Sequence, residues 1–400
     1  MQEQVSVQEH VSAKSGFSFG EGFLDVKAVA LILINMAATL LVYVPFLNYT
    51  AVILRLLDGS LLARITSYAP VFNDPTIISR YLDGPLYIFV AKTLYVVPAQ
   101  TPLDLPGYYF ACHLALFPLL IRLFSSLGYE QAMLFIVIVS STLAVLIFYM
   151  LVKEFKYSVD PFWLSIVFIF FPSRWLLYHS IGASEPLFIM LVLASLYCLK
   201  KDWALAACAL AGLATVTKIF GLLLFVSYAA YFIYQKQYRR LPYALLIPAF
   251  LFVNFLVYQF AYGDFFAYFR WNGSFMTVVP FMNFFSPALK GETNAAELFL
   301  AIYVIYILGA LRLRKHPELF AVALPFALFM AFVWHPDISR YLLPIAPLAL
   351  LIGFDDIMCR KEFKWIFPLV ILFGYIYCWG IIPTNLMTQA QYSYIMGLTP

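Results

Sequence analysis

Residues 131–156 read QAMLFIVIVSSTLAVLIFYMLVKEFK. From Gln131 to Val152 there is no Asp, Glu, Lys or Arg, and Lys153 and Lys156 follow directly. About 20 apolar residues make a helix long enough to cross the hydrocarbon core of a bilayer. Lys and Arg collect in the short loops on the cytosolic side. The stretch therefore reads as a membrane span whose C-terminal end faces the cytosol. The rest of the chain repeats this pattern. Of its 400 residues 64% are hydrophobic and only 12% charged, and the mean hydropathy is +0.87. That composition excludes a soluble domain of this length.

Further apolar segments run near 28–48, 161–178, 186–199, 203–218, 220–235, 241–260, 296–311, 318–334, 341–354 and 365–383. Several are short, which predicts tilted or half-length helices. The basic clusters are Lys153/Lys156, Lys200/Lys201, Lys236/Arg239/Arg240, Arg312/Arg314/Lys315 and Arg360/Lys361/Lys364. With the N-terminus inside and about 11 spans, all five fall on the cytosolic face. Residues 84–98 and 107–124 either span as well, giving up to 13, or lie against the outer face as surface helices. The parity is the same both ways. The expected fold is an all-α polytopic membrane protein. Residues 1–26 form a cytosolic tail and 27–400 a single transmembrane domain, with 49–130 as a long first extracytosolic loop. No inverted repeat of the secondary-transporter kind is visible. The net charge of +4 does not argue for nucleic-acid binding, because the basic residues sit in short clusters between apolar runs. The five cysteines form no metal-type pair and read as membrane-packed thiols.

The outer face then holds most acids that lack a neighbouring basic cluster. Asp83 lies in Arg80-Tyr81-Leu82-Asp83-Gly84-Pro85-Leu86-Tyr87, and an acid at the rim of a bilayer is costly unless it has a role there. Two readings stay open: a helix cap before Gly84-Pro85, or chemistry. Asp58 and Asp74, before Gly59 and Pro75, read as turn acids. Glu185, just before Pro186, is either an acid favoured by the helix dipole or the wall of an outward cavity. His179 has no partner of ligand type at helical spacing apart from Glu185. Lys218 interrupts an apolar run and either snorkels at a helix end or binds an anion. In Trp334-His335-Pro336-Asp337-Ile338-Ser339-Arg340-Tyr341 an Arg suited to forked phosphate contacts stands beside a His and an acid. The other reading of that turn is an Asp337–Arg340 ion pair. Asp264 and His113 complete the outer candidates, and no metal site is expected.

Taken in order, these elements resemble the integral-membrane glycosyltransferases of the GT-C superfamily, most closely the PIG-V-type mannosyltransferases. Arg80 to Asp83 with Tyr87, Val90, Ala91 and Tyr95 is similar to one family signature. Phe117-Pro118-Leu119 through Arg122, Pro172-Ser173 through Ser184-Glu185, Gly212-Leu213-Ala214 through Lys218 and Gly221, and Gly263-Asp264 with Trp271 resemble four others. The chain departs from the family in the two residues between Arg80 and Asp83, in Lys218 where the family has Arg, and in Pro186 where it has Ser. The resemblance implies a polyprenyl- or dolichyl-phosphate sugar donor, with mannose as the sugar, and a glycan, lipid or protein acceptor. Transfer would occur on the extracytosolic face of a prokaryotic plasma membrane or the endoplasmic reticulum, among membrane lipids, with inversion. It implies Asp83 as general base. Lys218, Arg340, Glu185, His335, Tyr341 and Arg80 would bind the donor phosphate and sugar. No cofactor is expected, and nothing in the sequence supports a divalent cation. Two readings from other classes remain: a transporter or flippase for a lipid-linked glycan, and a non-catalytic subunit of a glycosyltransferase complex.

Overall fold

A computed structural model describes residues 25–46, 74, 76–81, 83–98 and 100–399. Among these the chain is helical, and isolated bridges such as Tyr81–Leu386 supply its only extended pairing. Among the described residues five helices are long and apolar enough to cross a bilayer: Val26–Phe46, Tyr129–Glu154, Tyr238–Tyr262, Thr293–Lys315 and Lys361–Thr384. Shorter apolar helices, Pro161–Phe170, Ala204–Thr215, Ile219–Tyr234 and Pro317–Met330, stand among them. At 1.5 Å per residue these fall short of the roughly 30 Å core. The half-length elements expected from the sequence are therefore present.

Each interruption has a local cause. The segment expected at 161–178 divides into Pro161–Phe170 and Ser173–Tyr178. Pro172 has no N–H to donate and pushes Phe171 into extended backbone (φ −133°, ψ 137°). The segment expected at 341–354 is no regular helix. It winds tightly over Leu343–Ile345 and loosely over Pro347–Ile352, around Pro344 and Pro347. All of these residues are buried, which is where irregular backbone at membrane depth is tolerated. The Thr293–Arg312 helix packs on this segment. A Cβ on Gly309 would lie 2.1 Å from the Ala349 carbonyl oxygen, so only Gly permits that approach.

The two ambiguous stretches resolve as short elements. Asp83–Thr93 is a helix of 11 residues, buried from Gly84 to Lys92. Its last carbonyls are capped by a distant residue: Arg122 Nη1 donates to Ala91 and Lys92 at 2.9 and 3.1 Å. Residues 107–124 contain the turn Gly107–Cys112 and the helix Leu116–Leu123, which buries Phe117 and Ile121 and leaves Leu119 and Leu123 outward.

The core helix is Glu185–Lys200, packed between Tyr129–Glu154 and Ala204–Thr215. At its Lys200 end acids and bases from different loops are paired: Lys153–Asp25 at 2.7 Å, Lys364–Asp160 at 2.8 Å and Lys200–Glu318 at 3.1 Å. Lys201–Glu154, Arg240–Asp202 and Arg312–Asp356 complete the belt. The basic clusters of the sequence thus gather at one end. Glu185 stands at the other, about 22 Å away along the helix axis.

Candidate active site

Asp83 is the first residue of its helix and Glu185 the first of another. What brings them together is a contact between two glycines. A Cβ on Gly84 would lie 3.2 Å from the Gly182 carbonyl oxygen, and one on Gly182 would lie 3.0 Å from Gly84 Cα and 2.5 Å from Met133 Sδ. The turn before Glu185 can therefore sit against the start of the Asp83 helix. A hydrogen bond of 2.7 Å between the Tyr87 and Ser184 hydroxyls fastens the two one turn further in.

Lys218 lies in extended backbone (φ −145°, ψ 132°) between Ala204–Thr215 and the turn Ile219–Leu222. It marks a break between two short helices, and its Nζ reaches Glu185 Oε1 at 3.0 Å. Arg340 comes from the short helix Ile338–Leu342. Its Nη2 donates to Asp83 Oδ2 and its Nε to Glu185 Oε1. The guanidinium also lies over the Tyr178 ring, 4.7 Å from the centroid. Four separate segments thus converge on two carboxylates and two cations.

Glu185 is 1% exposed, while Asp83, Arg340 and Lys218 are 20%, 17% and 18% exposed. Glu185 Oε2 has no partner among the described residues. Burial alone would push the Asp83 carboxyl up. Arg340 above all, with His113 and Lys218, holds it below its ordinary value, so it is ionised at neutral pH. His113, whose ring meets that of Tyr87 at 4.7 Å, is pushed down to about 4 by burial and is neutral there. Its Nδ1 is buried and without a partner among the described residues.

A second ion pair flanks the first. Asp337 is bonded to Arg174, where the hairpin alone suggested Arg340. Arg340 is already taken by two carboxylates, and the Tyr178 hydroxyl bridges the two clusters by donating to Asp337 Oδ2 at 3.4 Å. His335 Nδ1 accepts the Asp337 N–H at 3.0 Å, and the His335 ring packs on Tyr341 at 5.0 Å. Both residues border the cluster. Neither Arg174 nor Tyr178 stood out in the sequence. A Ser-Arg-Trp at a helix start carries no signal until the fold places it opposite Asp337.

Other candidates lie elsewhere. Arg80 is bonded to Asp74 at 3.0 Å and to the Met387 carbonyl, away from Asp83. Asp74 accepts from Thr76 in a turn. Asp264 accepts from the Phe266 N–H and pairs with Arg270 at 2.6 Å on the surface. His179 is fully buried, with Nδ1 3.2 Å from the Thr39 hydroxyl. Asp58 lies outside the described residues. No group of three or more His, Cys, Asp and Glu among the described residues could hold a metal ion. A cavity of about 550 Å3 opens at the opposite end, lined by Trp203, Arg239 and Tyr243 and by Asp202 and Arg240, which neutralise each other. No acid–base set converges there.

No family model matches the chain, and no curated protein matches it. A solved structure shares its fold. ArnT from Cupriavidus metallidurans bound to undecaprenyl phosphate superposes with a TM-score of 0.50 at 15% identity, over 80% of this chain and 63% of ArnT. ArnT from the same organism in the apo state aligns with a TM-score of 0.46 at 16% identity, over 81% and 63%. The chain spans less than two thirds of ArnT's length. At that identity the likeness speaks for the fold alone.

Proposed function

We propose that this chain is a membrane glycosyltransferase that moves a hexose, mannose as the first candidate, from a polyprenyl- or dolichyl-phosphate to an acceptor hydroxyl. The observation that carries the proposal is the convergence of Asp83, Glu185, Lys218 and Arg340 at the end of the bundle opposite the basic belt. By the positive-inside rule that end is extracytosolic.

The chemistry is a single displacement with inversion. The acceptor oxygen forms a bond to the anomeric carbon, and the bond from that carbon to the phosphate oxygen breaks. The hydroxyl proton passes to Asp83, and the leaving group departs as the lipid phosphate anion. A positioned carboxylate within hydrogen-bond reach contributes about 10²–10⁴-fold to such a step. Lys218 and Arg340 neutralise the charge that develops on the leaving phosphate, in a site shielded enough for that to matter. Glu185 Oε2 and His113 Nδ1, buried and without partners among the described residues, are suited to sugar hydroxyls. The substrate-binding wall and the long outer loop belong, in this reading, to one transmembrane domain spanning residues 27–400.

The test is transfer from decaprenyl-phosphate mannose to a panel of acceptors by the purified protein. The wild type should transfer, and Asp83→Asn should be slower by about 10²–10⁴-fold. Full function of Asp83→Asn in cells would instead make the chain a scaffold that keeps the fold.

A further inference from the structure

The inference rests on the transferase reading above and concerns how the same four residues are shared. Asp83 and Glu185 carry two negative charges, Lys218 and Arg340 two positive ones, and they are bonded to one another. A carboxylate tied to a guanidinium is a weakened proton acceptor, because the pair favours its ionised form. A guanidinium satisfied by two carboxylates has little left for a phosphate. The groups that must act as base and as phosphate clamp are therefore occupied with each other.

The two carboxylates are not held equally. Glu185 is 1% exposed, receives both Arg340 and Lys218 on one oxygen, and begins a helix whose dipole favours it. Asp83 is 20% exposed and, among the described residues, is bonded to Arg340 alone. A phosphodiester brings one negative charge and two free oxygens that fit the fork of an Arg. It competes best against the weaker of the two partners.

We infer that Arg340 is an exchange partner: the substrate phosphate takes from Arg340 the contact that Asp83 holds, and Asp83 is thereby freed to receive the acceptor proton. Phosphate binding and the arming of the base are then a single event. Without a bound phosphate Asp83 stays paired and does not activate water. Arg340 is a positioning residue for Asp83 in one state and a phosphate ligand in the other.

The test is the affinity of the purified full-length chain for decaprenyl phosphate, measured by titration calorimetry. Because Asp83 competes with the phosphate, Asp83→Asn should bind it about fivefold tighter or more, in the range of coupling between linked sites. Asp83→Ala, which removes the carboxylate without an amide in its place, should act in the same direction and covers the case in which Asn is not tolerated. Glu185→Gln, which removes the fixed partner, should not tighten binding in this way. In an Arg340→Lys background the gain from Asp83→Asn should disappear, since the competition runs through that side chain. Unchanged or weaker binding by both Asp83 variants overturns the exchange while leaving the transferase reading intact. No binding of decaprenyl phosphate by the wild type overturns the lipid-phosphate reading itself.

Discussion

At the scale of single residues, the cluster sets the expected pH dependence. Asp83 is faced by Arg340, His113, Lys218 and Glu185. Its depressed pKa means that the carboxylate, the base proposed above, is ionised above that value and is protonated as pH falls through it. The profile of kcat/KM, which reports the free enzyme, should therefore keep its acid limb below the ordinary carboxylate value of 3.8. On the exchange proposed above, the phosphate holds Arg340 in the donor complex, and the strongest opposition to burial at Asp83 is removed while Lys218 remains. The acid limb of kcat should lie at higher pH. Identical acid limbs for the two parameters would contradict exchange at Arg340. His113, already pushed down to about 4, should contribute no limb in the neutral range. Sequence proximity misled most at this scale. Asp337 and Arg340 stand three residues apart on what reads as one turn, yet the partners are Asp337–Arg174 and Arg340–Asp83. Nothing in a linear chain ranks a distant buried carboxylate above a near one.

At the scale of elements, the helices were legible because apolar length and basic punctuation are local properties. Their interruptions were less so. The 341–354 stretch has the composition of a span, and its winding depends on Pro344 and Pro347 meeting a bed of buried neighbours. The glycine contact that joins two helix starts was not legible at all, since Gly182 and Gly84 are ordinary in sequence. It also gives a sharp prediction. Gly182→Val places carbon where Met133 Sδ lies 2.5 Å from a first Cβ and Gly84 Cα lies 3.0 Å away. Overpacking of this kind costs about 1–3 kcal/mol. More to the point, it moves Asp83 away from Glu185. Transfer should fall by far more than the melting temperature does, and Met133→Ala should restore stability without restoring rate, because the Gly84 backbone is still in the way. Equal recovery of both would place the effect in packing alone.

At the scale of the molecule, charge divides the bundle into two ends. Five of the ion pairs described at one end join exposed or part-exposed groups and are worth about 0–1 kcal/mol each, so they matter less for stability than for orientation. Val278, 94% exposed near the Asp83 end, and Tyr238, 60% exposed within the basic belt, report it directly. In intact cells a membrane-impermeant maleimide should label Val278→Cys and leave Tyr238→Cys unlabelled until the membrane is opened. The reverse pattern would invert the assigned topology. One further feature spans the whole chain. The Asp83 helix and the residue Arg80 just before it are stitched to residues near the other end of the sequence: Arg80 to the Met387 carbonyl, and Lys92 Nζ to the Met396 and Leu398 carbonyls at 2.7 and 2.9 Å. These partners are 304 to 307 positions apart. At about 5–20 residues per second, a ribosome needs roughly 15–60 s to deliver the second half of each stitch. A nascent chain released before residue 385 should carry an Asp83 helix open to protease, whereas the full chain should protect it. The Asp83 carboxylate thus takes its place late in biogenesis, fixed only after nearly every span has been inserted.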